Sequence, residues 1–386
     1  MAEKPTITGF ELIQFDLPPM EDMGTDYNGF NLVYEKGSTI PRQGSVLRMY
    51  TDIGVTGEIA SGAGLVAQAR YRNYLLGKNP LERERIYQDL KRALRQQARM
   101  GMAQIDILLW DFAGKYYDAP VFELLGGHIK PLPCYASTTH GDPNGGLDSP
   151  QAYADFAERC LDMGYPAFKI HGWGNSHTEL EIANIHEVGR RVGGKMDLLI
   201  DPACELETFG DALKVGWACD EEKFFWLEDP YKDGGISQFA HRKLRQMLRT
   251  PLLLTEHVRT LEPHIDFALA DATDFVRGDV GYDGITGVMK LAHACEGLGI
   301  DIEMHGPGPA QRHCMTSIRN TNYYEMGLVH PCNKGTFSTH LYTNYEDSLE
   351  AIDVSGNVYA PEGPGLGVEF DWDWIEKHET NRVKFD

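Results

Sequence analysis

No apolar run in the 386-residue chain approaches the ~18 residues of a membrane span, and 24% of its residues are charged. That composition excludes a membrane-spanning protein and fits a globular one long enough for a large domain plus a smaller one. The opening residues, MAEKPTITGF, carry no apolar signal-peptide core, so the expected location is cytoplasmic. Cysteine is sparse and unpaired in pattern: Cys134, Cys160, Cys204, Cys219, Cys295, Cys314 and Cys332 are odd in number, scattered and without CxxC spacing. They read as thiols of a reducing compartment, and no zinc site is expected of them. Positive charge is scarce too, at 36 Lys and Arg against 57 Asp and Glu, a net charge of −21. Such a balance argues against nucleic acid and anionic membranes as partners, because both require clustered basic side chains. A carboxylate substrate would be repelled at long range and would need a local positive charge, such as a metal ion, to hold it. Low-complexity segments and flexible linkers are absent as well.

What the chain does have is periodicity. Residues 5–60 alternate apolar and polar positions, which predicts antiparallel strands around an irregular segment from Met20 to Arg42. Residues 80–118 carry apolar residues at helical spacing. From Cys134 onward a short apolar strand, a turn and an amphipathic helix recur every 20–32 residues, the pattern of successive βα units. Eight strands are expected, near 132–137, 165–171, 197–201, 223–228, 252–256, 274–279, 299–305 and 323–327. Ser149 should cap the helix after the first, and Gly164 and Gly299 should end two helices. The tail from Val358 leaves the repeat and is expected to return to the first module. The fold class is therefore α/β, with a parallel barrel and an α+β module in front of it.

Three of the strands end in a carboxylate: LLID at Asp201, FFWLED at Glu228 and LLLTE at Glu256. The acids stand 27 and then 28 residues apart, one βα unit each, which would set them on neighbouring strands at one rim of a parallel barrel. A single acid there is more often a turn or capping residue. Three in register would repel one another without a cation, and an all-oxygen set suits a hard ion such as Mg2+. More chemistry lies at the same rim. Lys169 and His171, two apart in FKIH, face the same side of the second strand. Asp279 ends the sixth strand and His305 the seventh, so that the carboxylate could orient the imidazole as a base. The eighth strand carries Glu325.

Longer segments carry a family resemblance: AQIDILLWDFAGKYYDAPVFELLGG, FKIH, LIDPAC, WLEDP, LLTEH, DGITGVMKLAHACEGLGI and PEGPGLGVEFD. With them the chain resembles the enolase superfamily, in its mandelate racemase subgroup, over nearly its whole length. The resemblance implies a modified TIM barrel, (β/α)7β, under a capping domain built from both termini. Residues 1–130 would form the N-terminal part of the cap, 131–355 the catalytic barrel, and 356–386 the tail returning to the cap. It also implies one Mg2+ per subunit on Asp201, Glu228 and Glu256, a base dyad of His305 and Asp279 (with Asp283 as the alternative carboxylate), and Glu325 hydrogen-bonding a substrate carboxylate. A symmetric homo-oligomer is a further expectation.

One position departs from the family. Its second strand carries Lys-x-Lys, whereas this chain has Lys169-Ile170-His171. Histidine in place of the second lysine weakens a two-base mechanism and favours one centred on His305. The expected reaction is Mg2+-assisted abstraction of the proton α to a carboxylate, giving an ene-diolate. Loss of a β-hydroxyl would follow, which makes the protein a sugar acid dehydratase yielding a 2-keto-3-deoxy acid. Alternatives are a racemase or epimerase of a 2-substituted carboxylate and, remotely, a noncatalytic metal-binding barrel. Asp26, Tyr27 and Tyr34 are expected to close over the barrel mouth. Trp173, His257, Arg259, Arg312 and His313 are expected in solvated loops.

Overall fold

A computed structural model describes residues 4–26, 29, 31–60, 74–173, 177–333, 335 and 341–386. Strands β1 (Ile7–Thr25), β2 (Leu32–Thr51) and β3 (Gly57–Ala60) come first, followed by helices α1 (Arg83–Ala93), α2 (Met102–Tyr117) and the short α3 (Val121–Leu124). The chain then alternates: β4 (Leu132–Thr138), α4 (Pro150–Met163), β5 (Ala167–His171), α5 (Thr178–Val192), β6 (Asp197–Asp201), α6 (Phe209–Glu222), β7 (Trp226–Glu228) and α7 (Gln238–Arg245). It continues through β8 (Leu252–Leu254), α8 (Leu261–Leu269), β9 (Phe275–Gly278), α9 (Val280–Leu298), β10 (Asp301–Met304), α10 (Pro309–Ser317) and β11 (Tyr324–Val329). The tail holds β12 (Asn357–Val358), α11 (Trp372–Lys377) and β13 (Glu379–Phe385).

The eight strands β4 to β11 form one curled parallel sheet in the order β10-β9-β8-β7-β6-β5-β4-β11, a modified TIM barrel. Side chains close its seam. The Glu303 carboxylate accepts from the backbone N–H groups of Asn322 and Tyr323, and Glu325 accepts from that of Gly306. Local signals account for the helix ends. Ser149 accepts from the Ala152 N–H ahead of α4, and Gly164 and Gly299 end their helices at φ 103° and 73°.

Strand periodicity builds the interior in layers. At the bottom Tyr135, Ala167, Leu199, Trp226 and Leu253 form a buried apolar floor, against which Phe225, Phe275 and Tyr323 pack. Two residues further along these strands, on the same face, come Lys169, Asp201, Glu228, Arg277 and Glu325. A dry floor thus lies directly beneath a charged upper layer.

The capping sheet runs β13-β1-β2-β3, and the tail does return to it, since β13 pairs antiparallel with β1. The segment from Met20 to Arg42, expected to be irregular, instead continues the β1/β2 ribbon over 20–25 and 32–42. Pro18 and Pro19 fall where the register shifts between Leu17 and Met20, so a bulge absorbs residues that lack ladder donors. The ribbon's tip rests on the barrel mouth. His140 donates its N–H to the Leu32 carbonyl, and the Asn144 amide donates to that of Tyr34. Asp26 accepts from the side chain of Asn31, whereas Tyr27 lies outside the described residues. Among the described residues no helix is long and apolar enough to cross a membrane.

Candidate active site

At the carboxyl ends of β6, β7 and β8, oxygens of Asp201, Glu228 and Glu256 all lie within 4.8 Å of one another. Glu228 is fully buried and Glu256 is partly open to the mouth. Two buried cations counter these acids. Lys169 Nζ lies 3.0 Å from Glu228, 3.2 Å from Glu325 and 3.6 Å from Asp201. Arg277 Nε lies 2.9 Å from Glu228 Oε1, although the pair is not aligned as a hydrogen bond, and Nη2 donates to Glu325 at 2.9 Å and to the Tyr135 hydroxyl at 3.0 Å.

These contacts set the protonation states. Burial pushes the Glu325 carboxyl up, but Lys169 and Arg277 outweigh it and hold the group well below the usual carboxylate range. Glu325 is therefore an acceptor that grips both cations. For Glu228 burial wins over Arg277 and Lys169, and its carboxyl is pushed up to about 7. Burial opposes ionisation of Asp201 as well, but Lys169 and His171 pull its carboxyl below the ordinary value.

His305 Nδ1 faces Asp279 Oδ2 at 2.7 Å, while Nε2 lies 3.5 Å from Glu256. The second oxygen of Asp279 accepts from the Gly281 N–H at the start of α9, so one carboxylate both caps a helix and fixes an imidazole. Asp283, the alternative partner, points elsewhere and accepts from the Thr260 N–H. Burial lowers the His305 pKa, but Glu256 and Asp279 outweigh it and raise it to about 9. A cation on Glu256 would cancel part of that pull.

His171 is occupied on both sides. Its Nδ1 stands 2.7 Å from the Thr138 carbonyl and its Nε2 3.2 Å from Asp201, with the His140 ring packed alongside at 5.0 Å. The histidine thus buttresses an acid of the triad.

Three of the five residues expected in solvated loops are buried instead. Arg312, on α10, pairs with Asp347 and lies over the rings of Tyr324 and Tyr345. His313 accepts from the Phe122 N–H and faces the Leu366 carbonyl. Trp173 is buried too, with its N–H donated to Glu181. Arg259 stacks on Tyr282, and His257 is exposed. Sequence reasoning missed Arg277 and Tyr135. A signal was present, because Arg277 stands two residues before Asp279 and so shares its inward face.

A capped α/β barrel with acids on three consecutive strand ends and a carboxylate-backed histidine beside them defines a catalytic type of barrel. Residues 152–374 match the family described as enolase C-terminal domain-like, and residues 42–126 match the mandelate racemase / muconate lactonizing enzyme N-terminal domain. The chain belongs to the enolase superfamily, in its mandelate racemase/muconate lactonizing branch. It is 26% identical to the D-xylonate dehydratase of Haloferax volcanii over 363 residues, covering 86% of this chain and 84% of that one. It is 25% identical to the N-succinyl-L-Arg/Lys racemase of Bacillus cereus, covering 91% and 93%. The crystal structure of D-glucarate dehydratase from Agrobacterium tumefaciens complexed with magnesium superposes with a TM-score of 0.87 at 25% identity, covering 97% of this chain and 99% of that one. Its relatives thus include both hydro-lyases and racemases.

Proposed function

We propose that the protein is a Mg2+-dependent sugar acid dehydratase working through a single base, His305. The observation that carries this reading is the asymmetry of the two histidines: the His305 side chain is 36% exposed at the mouth with Asp279 behind it, whereas that of His171 is 9% exposed and packed between Thr138 and Asp201. The donor set fits the ion, since Asp201, Glu228 and Glu256 offer hard oxygens from three strands. Mg2+ held by those three would act as a Lewis acid toward a substrate carboxylate.

The chain's own residues do the rest. Lys169 remains a cation gripped by Glu228 and Glu325, and donates to the oxygen on which charge develops as the α proton leaves. His305 in its neutral form accepts that proton at Nε2, and Asp279 stabilises the resulting imidazolium. The same proton then passes from His305 to the departing β-hydroxyl. A C–H and a C–O bond break, water leaves, and the enol formed rearranges to a 2-keto-3-deoxy acid. One residue acting as base and then as acid implies syn elimination. In this reading residues 131–355 are the catalytic barrel, and 1–130 with 356–386 form the cap.

Incubation with a library of sugar acids and simpler 2-hydroxy acids in D2O and Mg2+, followed by proton NMR, tests the proposal. A 2-keto-3-deoxy product is expected, its formation abolished by His305→Asn and retained at least in part by His171→Asn. Deuterium at Cα with the opposite epimer and no loss of water would instead identify a racemase. Unchanged turnover of His305→Asn would refute the role given to His305.

A further inference from the structure

A second ligand set stands beside the acid triad. Asp229 directly follows Glu228, His257 directly follows Glu256, and Cys204 lies three residues beyond Asp201, so each rides on a segment that carries one triad acid. Asp229 turns at φ 27° just past the end of its strand, and His257 sits in the turn after Glu256 with Nε2 4.0 Å from Glu256 Oε1, so the set adjoins the triad. There the Cys204 thiol, an Asp229 oxygen and a His257 nitrogen lie within 4.8 Å of one another.

Asp229 points to a ligand. It is 1% exposed, and neither carboxylate oxygen receives a hydrogen bond from the described residues. A buried carboxylate without donors is costly unless a cation or a proton satisfies it. One side of the group is sealed by backbone, since a Cβ on Gly235 would come within 2.6 Å of Oδ1. The other side opens toward His257, whose Nε2 lies 3.8 Å from Oδ2 and whose side chain is 42% exposed, a route for an ion. Cys204 is anchored over the group by its own N–H, donated to the Asp229 carbonyl at 2.8 Å.

From this geometry we infer that Cys204, Asp229 and His257 form a binding site for a borderline-soft divalent cation of the Zn2+ class, adjoining the all-oxygen triad and sharing no residue with it. Thiolate, imidazole and carboxylate are all zinc ligands, and three of them leave a fourth position open to water. Sulfur and nitrogen donors disfavour Mg2+, so the two sites sort ions by hardness. On binding, the Cys204 S–H bond breaks, its electron pair goes to the metal and its proton to solvent. The earlier expectation that the cysteines hold no metal rested on spacing along the chain, and this set is assembled from three separate loops.

The test uses the full chain carrying Cys332→Ser, because Cys332 is exposed and would also bind metal. Mg2+ is kept saturating while Co2+ is titrated as an optical stand-in for zinc. One equivalent is expected to produce a thiolate-to-cobalt charge-transfer band. Cys204→Ser should abolish the band, and His257→Ala should weaken binding by more than the roughly 10–100-fold that loss of an outer partner causes. X-ray absorption of the zinc-loaded protein should show one sulfur neighbour that disappears in Cys204→Ser. A band that survives Cys204→Ser, or a zinc shell without sulfur while Cys204 is present, overturns the inference. Neither readout requires turnover, so a failed dehydratase assignment would not affect it.

Discussion

Arg277→Met removes a fully buried cation from among three acids. The change leaves Glu228 and Glu325 without a partner at 2.9 Å each and the Tyr135 hydroxyl without its donor. Breaking a buried ion pair by deleting one member costs about 3–5 kcal/mol. Lys169 stays within 3.2 Å of both carboxylates, so the lower end, about 3 kcal/mol, is expected. With an unfolding entropy of about 2.1 cal/mol/K per residue over 386 residues, that is a fall in Tm of about 4 °C. The loss should be measured by calorimetry in chelator and again in Mg2+. An added divalent cation replaces charge that the arginine supplied, so Mg2+ should raise the Tm of the variant by more than that of the parent. A variant as stable as the parent in chelator would refute the view that Arg277 neutralises this layer. Equal Mg2+ increments in the two proteins would show that the arginine and the proposed metal site do not share the same carboxylates.

Two further outcomes are expected. His313 is buried between the Phe122 N–H and the Leu366 carbonyl, and burial lowers its pKa from 6.5 to about 4. The folded state therefore favours the neutral ring. Its contribution, about 3 kcal/mol from the ~1.4 kcal/mol per pKa unit, is complete above pH 6.5 and lost as pH falls toward 4. His313→Gln should remove one proton's worth of slope from the stability profile in that window, and an unchanged slope by denaturant titration would refute the assignment. At Gly114 of α2 an added Cβ would lie 2.4 Å from the Gly365 Cα of the tail. Gly114→Ala should cost about 1–3 kcal/mol and speed hydrogen exchange in the tail, and unaltered exchange there would refute this packing argument.

The eight barrel strands were legible because each is a short apolar run ended by a polar or charged residue, and that boundary marks both the strand end and the chemistry. Asp201, Glu228, Glu256, Asp279 and His305 come together for the same reason. Arg277 was passed over despite its spacing from Asp279, because a lone arginine inside a strand reads as exposed until its partners arrive from three other strands. The ribbon over 20–25 and 32–42 was misread because its glycines and Pro41 signal breaks, whereas a two-stranded ribbon has open edges and tolerates bulges. Arg312 and His313 were assigned to loops because nothing local shows that Asp347 and Leu366, far along the chain, cover them. The Cys204 cluster was missed for a related reason, since its members are dispersed in sequence and adjacent only in space.

The pairing of β13 with β1 joins Phe10 to Phe385, almost the whole chain apart. A ribosome therefore releases β1 long before its neighbour exists, and the barrel between them has every opportunity to form first. Until β13 arrives, one edge of β1 offers unpaired backbone donors and acceptors to any other nascent chain. A short C-terminal truncation would make that interval permanent, and aggregation through the cap is the failure to expect from it.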